Sequence, residues 1–316
     1  MDEDMQLVSA LSNQGAIHKE NDMPNQDYVV KEVFRSNKRK KYTLLVVCDG
    51  VSASLEAETA SRFLGETAKK IFEAYVKKYG DRSFNIRKLK KIIDSLYFVY
   101  MSFIQKGTGN LKDYGSTMEM IVIYQNKAYC FHAGDGMILT MNTKGEVLMS
   151  SVKNHSGSEP GAVYPFYQKE KWDFFVHNDV CAAMAMSDGA SGELFFAPIL
   201  RNGYLFDPLV LLPFLDVRFH KNVKSFLRYQ KSYIKKALDD TALMYKGFTM
   251  LDLCKGTDMK EVKRHFEEGA PLRRFLKVNK DDATFVFWTN FDTLPEKYDL
   301  KDKIPDYYEI WKRERI

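Results

Sequence analysis

The sequence predicts an α+β fold in which antiparallel sheets are covered by helices, and three observations carry that prediction. Strand-length apolar runs follow one another through short polar turns, and two helical periodicities stand side by side early in the chain. The third is composition: 316 residues, 45% hydrophobic and 28% charged, are enough to bury a large core without disulfides or a structural metal. Sequential strands joined by tight turns favour antiparallel pairing over a strand–helix–strand arrangement.

Tyr28 to Phe34 and Tyr42 to Cys48 are β-branched and aromatic runs around the basic segment Arg35 to Lys41, which predicts a hairpin with a charged tip. From Leu55 to Tyr79, Ala60, Phe63, Leu64, Ile71, Phe72, Tyr75 and Val76 recur at three and four, as in an amphipathic helix that Gly80 ends. A second helix is expected from Ile86 to Gln105, with Leu89, Ile92, Ile93, Leu96, Tyr100 and Ile104 on one face. Asn85 is its N-cap and Gly107 its stop. The short turn between them predicts antiparallel packing on one sheet face. Ser116 to Ser151 reads as a meander of strands, with turns at Gln125 to Lys127 and Thr143 to Gly145. Further strands are expected at Trp172 to His177, Val180 to Ser187 and Ala283 to Thr289.

Between 195 and 277 the pattern is irregular and then helical, from Phe226 to Tyr245 and from Met259 to Gly269. We expect a helical insert there, in a catalytic domain spanning 1–290, followed by a polar tail at 291–316. Cys48, Cys130 and Cys181 lie inside apolar runs, and with Cys254 they form no CxxC pair, so reduced thiols are expected. The net charge of +5 is too small to argue for nucleic acid. No run reaches membrane-helix length, and the acidic N-terminus has no signal-peptide core. A cytoplasmic protein with neither a nucleic-acid nor a membrane partner is expected. Nucleotide-binding glycine loops are absent.

Aspartates mark the ends of the apolar strands. Asp49 is followed by Gly50, Asp188 by Gly189 and Asp281 by Asp282; Asp135 closes another strand and Asp27 opens one. Asp-Gly is ordinary turn chemistry at any one site. Carboxylates gathered at buried strand ends are costly unless neutralised, and hard divalent ions neutralise them. A glycine beside an aspartate lets the backbone approach, so its carbonyl can serve as a further oxygen ligand.

In order, GAIHK…NQD, VVCDGVS, YGST, AGDG, MSDG and KDDAT resemble the motifs of the metal-dependent type 2C (PPM) protein phosphatases, over roughly Gly15 to Trp288. The resemblance implies a four-layer α-β-β-α sandwich of two antiparallel sheets flanked by helix pairs. It also implies hydrolysis of phosphoserine and phosphothreonine in proteins by a water activated between two Mn²⁺ or Mg²⁺ ions. Carried over, Asp49 bridges the ions, Gly50 gives its carbonyl to one, and Asp188 and Asp281 complete the shell of the other. Asp27 holds metal-bound waters. Asp135, in the family's GDS motif, joins Asp188 at a third, weaker site. A phosphorylated protein is the implied partner, with a cognate Ser/Thr kinase.

Two positions depart from that pattern. The family's phosphate-gripping arginine is replaced in the stretch Gly15 to Lys19, where His18 and Lys19 are the candidates for its role. The histidine that follows the DG motif in some members is Val51 here. His132 reads as a satisfied core residue. Two further readings stand beside the enzyme: a catalytically weak or inactive relative that binds phosphoproteins or a kinase, and a phosphatase of small phosphorylated metabolites.

Overall fold

The computed structural model describes residues 6–149, 163–190, 242–244, 275–277 and 281–296. The chain opens with β1 (Gln6–Asn13) and a one-turn helix α1 (Ala16–Glu20). The expected hairpin follows as β2 (Asp27–Arg35) and β3 (Lys41–Asp49), then the two long helices α2 (Ala57–Tyr79) and α3 (Ile86–Lys106). Next come β4 (Met118–Tyr124), β5 (Lys127–Ala133), β6 (Met137–Asn142) and β7 (Val147–Met149). After them lie β8 (Asp173–His177), β9 (Val180–Met186), β10 (Ala242–Met244), β11 (Phe275–Lys277) and β12 (Ala283–Asn290).

Two five-stranded antiparallel sheets form, one in the order β1-β12-β9-β6-β7 and the other in the order β2-β3-β4-β5-β8. Side-chain alternation explains their stacking. On β3, Leu45 and Val47 point to the other sheet and pack with Ile121, Cys130, Ala183, Val286 and Trp288. Tyr42, Leu44, Val46 and Cys48 point the opposite way, onto α2 and α3. A strand buried on both faces reads as a continuous apolar run, which is why Thr43 to Cys48 shows no polar alternation. The helices answer with Ala60, Leu64, Ala68, Phe72 and Val76 from α2, and Leu89, Ile93, Leu96, Tyr100 and Ile104 from α3. Each fully buried leucine there contributes about 2 kcal/mol over an exposed one. Tyr42 stacks on Tyr124 at 4.6 Å and donates to the Gly80 carbonyl at 2.7 Å, fastening the end of α2 to the sheet.

The structure revises the meander. The strands exist, but β5 pairs with β4 and β8, while β6 pairs with β7 and β9 in the other sheet. The chain changes sheets at Gly134-Asp135-Gly136. Gly134 has φ +126, a conformation that a side chain disfavours, and a Cβ there would meet that of Thr117 at 2.4 Å. Ala242–Met244 falls within the run read as helical but is a strand paired with Phe275–Lys277, a partner too distant for local periodicity to reveal. The rest of the 195–277 insert, the second helix pair and the tail beyond 296 lie outside the described residues. Cys48, Cys130 and Cys181 are buried free thiols. No described helix is long and apolar enough to cross a membrane.

Candidate metal centre

Antiparallel registers gather the five aspartates at one end of the sandwich. Asp27 at the start of β2 pairs with Asp49 at the end of β3. Asp188 comes just after β9 and Asp281 just before β12, and these strand ends coincide because Met186 lies opposite Phe285. Asp135 sits in the crossing to β6, whose first residue, Met137, also lies opposite Met186. Ser187 Oγ donates to Asp27 Oδ2 at 2.9 Å and so ties the two sheets together at this end.

The backbone around Asp49 is held firmly. Its N–H donates to Thr117 Oγ1 at 3.2 Å, and the Thr117 N–H donates to its carbonyl at 2.8 Å. Gly50 N–H donates to the Gln26 carbonyl at 3.1 Å, and a Cβ on Gly50 would lie 2.6 Å from the Ala57 carbonyl oxygen. Only a glycine lets the chain pass so close to the start of α2.

Electrostatics describe a centre short of positive charge. Burial first, then the charges of Asp27, Asp188, Asp281 and Asp135, push the Asp49 carboxyl well above the usual carboxylate range. Burial pushes Asp27 up to about 8, with hydrogen bonding from Thr284 and Ser187 opposing and the charges of Asp282 and Asp188 adding. Asp281 is raised too, by burial and then by Asp188. Asp27 Oδ1 is buried and accepts no hydrogen bond among the described residues. An orphaned acceptor within mutually repelling carboxylates fits a divalent cation, and oxygen donors of this kind suit Mg²⁺ or Mn²⁺.

His18 and Lys19 part company. His18 is 4% exposed, whereas Lys19 on the next helical position is exposed. His18 Nδ1 lies 2.8 Å from Asp282 Oδ2. Asp282 also accepts from Gly15 N–H at 2.6 Å and from Gln26 N–H at 2.5 Å. One carboxylate thus pins the whole approach to β2, a role the sequence reading had not given it. The only hint was the Asp-Asp doublet. Val51, at the histidine position of some relatives, donates its N–H to the Gly115 carbonyl.

A second omission lies behind the aspartates. Glu119 on β4 and His132 on β5 are register partners, both fully buried, with His132 Nε2 3.8 Å from Glu119 Oε1. His132 is a core residue, as expected, with the Gly136 backbone offsetting part of its burial, whereas the Glu119 oxygens have no hydrogen-bond partner among the described residues. Burial drives Glu119 well above its usual range, with Asp135 the next largest cause. Burial also lowers His132 to about 4. Burial thus disfavours the charged form of each group. The signal available in sequence was an acid on the inward-facing parity of an otherwise apolar strand.

Solved structures share the architecture. A serine/threonine phosphatase from S. agalactiae superposes with a TM-score of 0.53 at 14% identity, over 90% of this chain and 99% of that one. The catalytic domain of the serine threonine protein phosphatase PstP, in complex with two manganese ions, gives 0.50 at 14% identity over 90% and 97%. The Mycobacterium tuberculosis serine/threonine phosphatase PstP/Ppp gives 0.50 at 12% identity over 92% and 99%. At these identities the likeness is one of fold. No curated protein matches the chain. The family model for protein phosphatase 2C matches residues 14–231, more than half of the sequence and a span holding Asp27, Asp49, Asp135 and Asp188. The chain belongs to the protein phosphatase 2C family and is a metal-dependent protein phosphatase.

Proposed function

We propose that this enzyme removes phosphate from phosphoserine and phosphothreonine in proteins, at a centre of two Mn²⁺ or Mg²⁺ ions. The observation that carries the reading is the convergence of Asp27, Asp49, Asp188 and Asp281 from four strands of two sheets. Asp49 and the Gly50 carbonyl would hold one ion; Asp49, Asp188 and Asp281 would hold the other. Asp135 with Asp188 would hold a third, and Asp27 would orient water. Ions held there would supply an acidified water and positive charge to offset that on the phosphoryl oxygens. Lys19, exposed beside the buried His18, would meet a phosphate arriving from solvent. A Ser/Thr kinase acting on the same proteins supplies the substrate, and the catalytic unit is read as residues 1–290, in the cytoplasm.

Phosphate release from a phosphothreonine peptide tests this directly. Turnover is expected with Mn²⁺ or Mg²⁺ and none after EDTA treatment; undiminished hydrolysis in chelator would refute the reading.

A further inference from the structure

One end of the β2–β3 hairpin carries aspartates, and the other carries a concentration of cations. Asp27 pairs with Asp49 at the metal-centre end, and Arg35 pairs with Lys41 at the tip. The length of β2 separates the two ends by about 26 Å, at a rise of about 3.3 Å per residue. The tip is docked on the turn between α2 and α3. Lys38 N–H donates to Asp81 Oδ1, Lys40 Nζ donates to the Asp81 carbonyl, and the Tyr42 hydroxyl donates to the Gly80 carbonyl, each at 2.7 Å. These bonds bring segments 35–41 and 77–91 side by side, and together the segments hold twelve basic residues and one acid, Asp81. Lys38, Arg39, Lys78, Arg82 and Arg87 are exposed. Lys78 and Arg82 both lie over the Tyr79 ring, at 5.1 and 5.7 Å. Burial first, and then the charges of Arg82 and Lys40, hold the Lys88 ammonium below its usual range, so like charges crowd this corner.

The distribution of charge selects the partner. The two segments sum to +11 while the whole chain is only +5, which leaves −6 for the rest. A nucleic acid or an anionic membrane would extend past the corner onto a molecule that is otherwise net acidic, whereas a short acidic stretch of protein fits on the corner alone. The chain is a protein phosphatase, so a protein carrying such a stretch is the partner at hand. We propose that this corner is a docking surface for an acidic segment of the phosphoprotein substrate. That segment lies at least about eight residues from the phosphorylated one, the number an extended chain needs to span about 26 Å. Once one point of the substrate is held, the other meets its site at a high effective concentration. The inference rests on the phosphoprotein reading of the centre and adds to it a substrate feature that the metal ions do not read.

Phosphothreonine peptides of one sequence test this on the full chain with Mn²⁺. A tract of aspartates is placed about four or about twelve residues from the phosphothreonine, on either side, or is replaced by asparagines. The distant tract should lower KM roughly tenfold against the asparagine peptide with kcat unchanged, and the near tract should not. The gain should vanish at about 1 M salt, where the screening length falls to about 3 Å. Lys38→Glu, Arg39→Glu and Arg87→Glu combined should abolish the gain and leave both aryl phosphate hydrolysis and the melting temperature unchanged. No gain from the distant tract, an equal gain from the near one, or a gain that survives the charge reversal would overturn the proposal. Charge-dependent binding to phosphatidylserine vesicles or duplex DNA, with no KM gain on the acidic peptide, would overturn it in favour of another partner. If no phosphopeptide is turned over, the reading of the centre fails. Fluorescence anisotropy of a labelled, unphosphorylated acidic peptide then still decides whether the corner binds it. The spacing and salt series use the unaltered chain, so they decide even if the variant fails to fold.

Discussion

Asp49 concentrates the cost of gathering acids in one place. Its carboxyl is raised by burial and by four other aspartates, so in the metal-free chain it is a liability, and on the proposed function it becomes a ligand in the loaded enzyme. Asp49→Asn and Asp281→Asn are therefore expected to lower kcat by at least ~100-fold while the metal-free variants melt no lower than wild type. Phosphopeptide turnover at saturating Mn²⁺, beside thermal melting in EDTA, checks both halves; near wild-type turnover would remove the residues from the centre. These acids were legible because each stands at the end of an apolar run. Asp282 and Glu119 were not, for opposite reasons. The use of Asp282 depends on Gly15, His18 and Gln26, brought near only by pairing of distant strands. Glu119 is the second residue of β4, inside an otherwise apolar strand, where an acid breaks the expected pattern instead of completing one.

At the level of single elements, local periodicity recovered the long helices and the buried strands, and it failed where pairing is non-local. The helix from Ile86 ends at Lys106, within a residue of its expected end, because capping chemistry is local. Asn85 Oδ1 accepts from Lys88 N–H at 3.1 Å on the exposed first turn. Asn85→Ala should cost about 1 kcal/mol in chemical denaturation, whereas Asn85→Asp should cost little. An unchanged midpoint in the alanine variant would show that tertiary packing alone sets that helix start. β1 escaped notice because every residue of this edge strand is only partly buried, which blurs the two-residue period. The switch of sheets between β5 and β6 escaped because it depends on a backbone angle at Gly134, which no hydrophobic pattern encodes.

For the molecule as a whole, the acid cluster reverses the usual sense of pH dependence. In the folded metal-free chain Asp27 titrates near 8, against 3.8 as its ordinary value. Between those values the folded state binds more protons than the unfolded one, so stability is gained as pH falls through 8 and lost as it rises. His132, lowered to about 4, works the other way, but only below its ordinary 6.5. Stability in EDTA should consequently rise from pH 8 to pH 6.5. With Mn²⁺ the order should invert, because protons then compete with the ion for the same oxygens. Urea midpoints at the two pH values, with and without metal, test this. A metal-free midpoint that falls on going to pH 6.5 would contradict it.

The contact between Gly136 and Glu119 constrains how this chain can have diverged. A Cβ on Gly136 would fall 2.3 Å from the Glu119 carboxyl carbon and 2.4 and 2.5 Å from its oxygens, so a side chain there requires that fully buried carboxyl to shift. The serine of the family's GDS motif would therefore require the Glu119 carboxyl to move, so the residues at 136 and 119 are expected to be coupled. Gly136→Ala alone should destabilise the protein, and Glu119→Ala should restore it, with a coupling on the order of 1–3 kcal/mol in a double-mutant cycle. Simple additivity of the two would mean that the crossing strand or the Glu119 side chain yields, and that the two positions are independent.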